Sequence, residues 1–355
     1  MTISRRKFIT GGLVAAGAVA GAAATIGGIG LIRGRQQRGT DGVGGAAVSR
    51  LGVDPRAPRY IALAKSGELA RREKALWELF EYCRLCPRRC GANRANGMAG
   101  ACRSGDKFRI ASFGPHFGEE NVLRGTNGSG TIFFSNCNLL CAFCLNWQIN
   151  HKGQGQYTTH EELADMMIDL QNRGCHNINF VTPTHMTPHI VKSLGIAVSK
   201  GLIIPLVYNS SGFDSLEVIK LLDGIVDIYL PDFKYQDAEH AVRFSKGAQD
   251  YPKHAAAAIL EMHRQVGHIQ TDENGIAYRG VLIRHLILPE NLAGTDRFVK
   301  WVVQRLGKDA HVNIMSQYRP MFQAHDFPPL DRRPTEQELT QAIRWARTAG
   351  LHNFH

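Results

Sequence analysis

From residue 131 onward, short apolar runs alternate with stretches of helical periodicity, and this alternation narrows the fold more than any other feature of the chain. The strand-like runs fall at 131–135, 178–181, 203–208, 226–230, 281–288 and 312–315. Helix patterns cover 161–173, 189–200, 216–222, 255–266 and 297–306 between them, and a last one covers 335–349. Repeated strand–helix units build a parallel sheet, because a parallel neighbour needs a long crossover and the right-handed helical one packs back onto the sheet. Six units are too few to close an eight-stranded barrel. The expected fold is therefore α/β, a partial (β/α)6 barrel.

In such a fold the reactive groups sit on the loops after the C-terminal strand ends. Polar motifs occupy those places here. The first strand runs into Cys137, the second into Thr182-Pro183-Thr184-His185 and the third into Asn209-Ser210-Ser211-Gly212. The fourth runs into Asp232-Phe233-Lys234 and the last into Ser316-Gln317-Tyr318. Read singly, Asp232 with Lys234 is as well explained as a surface charge pair. His185 fits a hydrogen-bonded loop histidine better than an acid catalyst, and Met315 fits packing at the barrel mouth. Trp147 suits a shield over the site or an ordinary core aromatic equally well.

Cys137, Cys141 and Cys144 lie in Cys-Asn-Leu-Leu-Cys-Ala-Phe-Cys, directly after the first strand. Four ligands, usually thiolates, hold a 4Fe-4S cubane, so three from one loop leave one iron open to another molecule. A disulfide with a stray thiol, a zinc knuckle and three buried structural cysteines are the competing readings. Zinc wants a fourth protein ligand and more often shows paired spacings. A second set lies upstream: Cys83, Cys86, Cys90 and Cys102 make a complete group of four thiols. A second iron–sulfur cluster, a structural zinc and disulfides all fit that spacing. Cys175 stands alone and reads as a small buried thiol.

The chain begins with a different signal. Ser4, Arg5, Arg6, Lys7, Phe8 and Ile9 precede an uncharged, Gly- and Ala-rich run to Ile32, which resembles a twin-arginine export signal. Small residues such as Ala18-Val19-Ala20 suit cleavage; an uncleaved anchor and a cytoplasmic location are the alternatives. The expected organisation is residues 1–40 as twin-arginine signal or anchor with linker and 41–127 as a helix plus a four-cysteine metal-binding extension. The partial barrel follows at 128–325, and the C-terminal helix at 326–355. The formal charge of +11 over 355 residues invites a nucleic-acid reading. The basic residues are dispersed, however, no basic stripe with interleaved aromatics stands out, and metal-bound thiolates would lower the charge. No nucleic-acid partner is expected.

The cysteine loop, with Phe143 one place before its last cysteine, resembles the signature of the radical S-adenosylmethionine superfamily. Closer resemblance to the branch of pyruvate formate-lyase activating enzyme rests on the segments 83–90, 177–185, 227–235 and 315–320, and extends over about residues 66–355. The resemblance implies a 4Fe-4S cluster on Cys137, Cys141 and Cys144, with S-adenosylmethionine on its open iron. Reductive cleavage would give a 5'-deoxyadenosyl radical that abstracts hydrogen, by analogy from a glycine of a glycyl radical enzyme. It further implies a low-potential electron donor, while the export signal implies the twin-arginine translocase. Cofactor-binding roles fall to Phe143, Thr182, Thr184, Asn209, Ser211, Asp232, Lys234 and Arg284. Among these, Thr182-Pro183-Thr184 replaces the superfamily's Gly-Gly-Glu type loop, Asn209 and Ser211 suit the ribose or carboxylate, and Arg284 suits the carboxylate. The alternative function is an exported, non-catalytic iron–sulfur electron carrier.

Overall fold

Six strands lie parallel in the order β2 (Ser129–Phe134), β4 (Ile178–Val181), β5 (Leu206–Asn209), β6 (Ile228–Tyr229), β8 (Ala277–Leu286) and β9 (His311–Met315), as the alternating pattern requires. The protein was described from a computed structural model, which covers Asp54 and residues 56–354. The expected export signal lies outside the described residues. No described helix is long and apolar enough to cross a membrane. The described residues belong to one compact unit.

The central strands are buried end to end: Ile178 and Phe180 in β4, Leu206, Val207 and Tyr208 in β5, Ile228 and Tyr229 in β6. Such continuous burial is expected where helices cover a parallel sheet. Two of the long helices begin at side-chain caps. Thr159 and Glu162 close a reciprocal capping box on His160–Asn172, and Thr335 and Glu338 do the same for Glu336–Ala349. The first of these helices then buries Leu163, Ala164, Met167 and Leu170 on one face.

Three strands escaped the sequence pattern. β1 (Phe108–His116) runs antiparallel to β2, β3 (Gln156–Thr158) adds to β1, and β7 (Gln270–Thr271) makes a hairpin with β8. β1 is masked in sequence because Phe108 and Ile110 point inward but an irregularity follows at Ile110/Ser112 and Gly114-Pro115 breaks the alternation. Consequently the sheet starts before the expected boundary at residue 128. The run expected at 203–208 joins the sheet only from Leu206, since Ile203 is exposed and Pro205 has no N–H for the ladder. The helix pattern at 66–82 forms as Glu68–Glu81, and a short helix that the pattern did not show, Tyr60–Lys65, precedes it across Gly67, at φ 79°.

His285, on β8, is fully buried. Its Nδ1 lies 2.6 Å from the Phe233 carbonyl, its Nε2 2.9 Å from the Thr295 hydroxyl, and its ring stacks on Phe298 at 4.1 Å. Burial lowers its pKa to about 4, against an unperturbed value of about 6.5. The unfolded chain therefore binds one more proton between these values, and stability falls as pH drops from about 6.5 to 4 by on the order of 3 kcal/mol. His285→Gln keeps a donor for Phe233 and an acceptor for Thr295 but cannot titrate. Its urea midpoint should be lower at pH 7 and flatter between pH 6.5 and 4; an unchanged pH slope would show that His285 is not the titrating group.

Candidate active site

The loop after β2 carries three cysteines in a backbone that ordinary residues seldom adopt. Asn136 and Leu140 have φ of 70° and 59°, and Thr182, on the neighbouring loop after β4, has 62°. Such strain persists where surrounding contacts enforce it. Asn136 is tied by its side-chain amide to Ser104 at 2.9 Å. Across the strand ends, Gly212 at φ 74° lies so close to the next loop that a Cβ would overlap the Asp232 carbonyl oxygen. Only glycine lets these two loops meet.

Around these strand ends lies a cavity of about 440 Å³. Cys137, Cys141 and Cys144 line one side of it. Donors are aimed at all three sulfurs: Leu139 N–H at Cys137 (3.3 Å), the Ser245 hydroxyl at Cys141 (3.2 Å) and the Asn150 amide at Cys144 (3.3 Å). Burial pushes the Cys137 thiol up to about 12 and the Cys144 thiol up to about 11. These sulfurs ionise readily only with a metal to ligate, and the donors then stabilise the thiolates. The donor set therefore fits an iron–sulfur cluster. Among the described residues, no three His, Cys, Asp or Glu side chains gather around one single-ion position. In a cubane each thiolate holds a different iron, so three thiols of one loop need not converge on a single ion.

Phe143, Thr182, Asn209, Ser211, Asp232 and Lys234 all line the same cavity, as expected from sequence. The Ser211 hydroxyl is buried with no hydrogen-bond partner, a polar atom left for a ligand. Asp232 and Lys234 form a 2.8 Å ion pair with side chains 19% and 17% exposed, so the surface-pair reading gives way to a pair facing the cavity. Burial opposes the Lys234 charge, but Asp232 and the Cys141 and Cys144 sulfurs outweigh it and raise its pKa.

Two expected cofactor residues are engaged elsewhere. Arg284 lines the cavity, yet its fork is taken: Nε and Nη2 donate to Glu120 at 2.8 and 2.7 Å, and Nη2 also to Glu119. A guanidinium so paired keeps only Nη1 for a ligand and cannot present its Nε and Nη2 edge to a ligand's carboxylate. Thr184 is buried beneath the cavity and donates to Asp214 at 2.7 Å, alongside Ser210 at 2.5 Å. His185 is a buried loop histidine with Nε2 2.9 Å from the Ser135 carbonyl. Met315 sits at the cavity wall; Trp147 lies outside it, stacked on Phe322, and Cys175 is a buried thiol.

The family model described as the radical SAM superfamily matches residues 131–285, from within β2 to the end of β8. The chain belongs to the radical SAM superfamily. Membership implies cleavage of S-adenosylmethionine at a 4Fe-4S cluster, and the three-cysteine loop is where this chain gathers the thiolates for it. An uncharacterized protein of Methanocaldococcus jannaschii is 32% identical over 280 residues, 77% of this chain and 76% of the relative. Among solved structures, methylornithine synthase aligns with a TM-score of 0.41 at 14% identity, over 62% of each chain. QueE from Escherichia coli aligns with a TM-score of 0.35 at 10% identity, over 70% of this chain and 92% of that one. The chain thus matches less than two thirds of the methylornithine synthase structure.

Proposed function

We propose that this radical SAM enzyme abstracts a hydrogen atom from a glycine presented by a partner protein, the activity of the activating-enzyme branch that its sequence resembles. The size of the cavity carries this reading. About 440 Å³ lies near the lower end for small-molecule sites, so a seated cofactor leaves little room for a second whole metabolite. A glycine on an extended loop is the smallest hydrogen donor a protein can present. A 4Fe-4S cluster held by Cys137, Cys141 and Cys144 would, once reduced, supply the one electron needed for reductive cleavage of the carbon–sulfur bond of S-adenosylmethionine.

The residues of the chain do the positioning. Lys234 offers its ammonium to the cofactor carboxylate, Asn209 and Ser211 offer hydrogen bonds to the carboxylate or ribose, and Phe143 packs the cluster side of the cavity. A low-potential donor supplies the electron. Export of the folded, cluster-loaded chain by the twin-arginine translocase is part of the same proposal and rests on the N-terminal sequence. The test is anaerobic incubation of reconstituted protein with dithionite, S-adenosylmethionine and pyruvate formate-lyase. A glycine-centred radical in the EPR spectrum, with one 5'-deoxyadenosine per radical, is expected. Formation of 5'-deoxyadenosine with no radical on this or any other glycyl radical enzyme would remove the glycine proposal and leave cofactor cleavage standing.

A further inference from the structure

The four upstream thiols come together in the folded chain. The loop after helix Glu68–Glu81 folds back on itself, with Cys83 N–H donating to Ala92 O at 3.0 Å and Gly91 N–H to Cys83 O at 3.1 Å. The Cys83 and Cys90 thiols are neighbours. A Cβ on Gly100 would stand 3.3 Å from the Cys90 sulfur and 3.7 Å from the Cys102 sulfur, so glycine keeps open the space that these two share. The Arg94 guanidinium donates to the Cys83 sulfur at 3.8 Å, as Leu139 N–H donates to the Cys137 sulfur in the radical SAM loop, so each set has a donor aimed at a sulfur.

Arg94 gives an independent indication. It is fully buried and no carboxylate among the described residues pairs with it. Its guanidinium lies over the Phe80 ring at 4.3 Å, donates to the His185 and Gly105 carbonyls at 2.8 and 3.3 Å, and reaches the Cys83 sulfur at 3.8 Å. Its Nε has no partner. A buried cation needs a compensating negative charge, and four thiolates around a metal centre carry one. Four neutral thiols do not.

The two cysteine sets also touch. Asn138, the residue after Cys137, is fully buried and lies beside Cys86, with its side-chain amide donating to the Phe213 carbonyl at 2.7 Å. Arg88 Nε donates to Asn138 O at 2.5 Å and Nη2 to Leu139 O at 3.2 Å. Cys86 is buried against the radical SAM loop, whereas Cys90 is exposed. The cavity that would take cofactor and substrate is lined by Cys137, Cys141 and Cys144 and not by Cys86, which leaves the Cys86 side for the entry of an electron. Nearby, Arg103, Lys152, Arg243 and Lys246 line a second cavity of about 460 Å³ that has no acidic residue in its wall. This rim suits an acidic protein donor.

We propose that Cys83, Cys86, Cys90 and Cys102 hold a second 4Fe-4S cluster, which passes one electron at a time from a low-potential protein donor to the cluster on Cys137, Cys141 and Cys144. The relay rests on the radical SAM reading; the metal site does not. In each transfer the second cluster is oxidised by one electron as the first is reduced by one, and the donor then restores it. Zinc, which has no redox chemistry, could fill such a site but could not serve the relay.

The Cys137→Ala/Cys141→Ala/Cys144→Ala variant, purified anaerobically, isolates the second site. It should retain about four irons and four sulfides per chain and give an EPR signal on reduction. One zinc per chain, upstream disulfides or no metal at all would overturn the proposal. The Cys90→Ala/Cys102→Ala variant tests the relay. With reduced flavodoxin as donor, 5'-deoxyadenosine formation should fall at least tenfold, while with titanium(III) citrate it should stay within about twofold of wild type. Equal rates with flavodoxin would sink the relay. Absence of product from wild type with titanium(III) citrate would instead count against the radical SAM chemistry, and the metal content of the first variant would still decide the second site.

Discussion

Cys141→Ala should lower 5'-deoxyadenosine formation by a factor of about 1,000 or more, to the background of cofactor breakdown, and remove one cluster's worth of iron. Cys141 is the middle ligand of its loop and is buried, with the Ser245 hydroxyl aimed at its sulfur from 3.2 Å. Two thiolates cannot hold three corners of a cubane, so the loss falls on cluster assembly. It should therefore appear in the visible spectrum as well as in the rate. The fold should survive, since alanine removes one sulfur and leaves a single hydroxyl to find a new partner. Cys175→Ala makes the matched control: it is also buried, it lies outside the cavity, and it should change neither iron content nor rate. A Cys141→Ala protein as active as wild type would mean that the three-cysteine loop does not hold the working cluster.

Different parts of this site were legible to different degrees, for physical reasons. The thiols were legible because ligation fixes residue type and spacing within one loop, and the strand before them has strong apolar periodicity. Asn209, Ser211, Asp232 and Lys234 could be found because strand ends of a parallel sheet converge, so local sequence next to a strand predicts a shared place in space. Arg284 could not be assigned in this way. Its partners Glu119 and Glu120 lie more than 160 residues upstream, just after a strand whose irregularity and Gly-Pro pair hide its period. Thr184 missed the cavity through register: it follows Thr182 by two places, but the turn at Pro183 carries it down to Asp214. Ser245 and Asn150, which bond two of the sulfurs, have no motif, because a donor to sulfur can come from any residue that reaches it. The cavity volume and the contact between Asn138 and Cys86 depend on packing between segments far apart in sequence. Neither can be read along the chain.

Lys234→Met should weaken S-adenosylmethionine binding by about 100-fold, the larger of the two losses expected at the polar side of the cavity. Lys234 and Arg284 are the Lys and Arg side chains among the described residues lining this cavity. With the Arg284 fork held by both glutamates, the proposed contact with the cofactor carboxylate falls to the ammonium of Lys234. It uses one donor on Asp232 at 2.8 Å and has two more to offer. Substitution also strands the Asp232 carboxylate in a half-desolvated wall, which by itself costs stability. The double variant Asp232→Asn/Lys234→Met separates the two effects. It should recover the melting temperature of wild type while keeping the weakened affinity, because neutral groups satisfy the wall but cannot replace the charge. Equilibrium dialysis of the cluster-loaded proteins gives the affinity, and saturating cofactor gives the maximal rate. Recovery of affinity in the double variant would mean that Lys234 serves the fold through Asp232, and that the carboxylate of S-adenosylmethionine is held by another group.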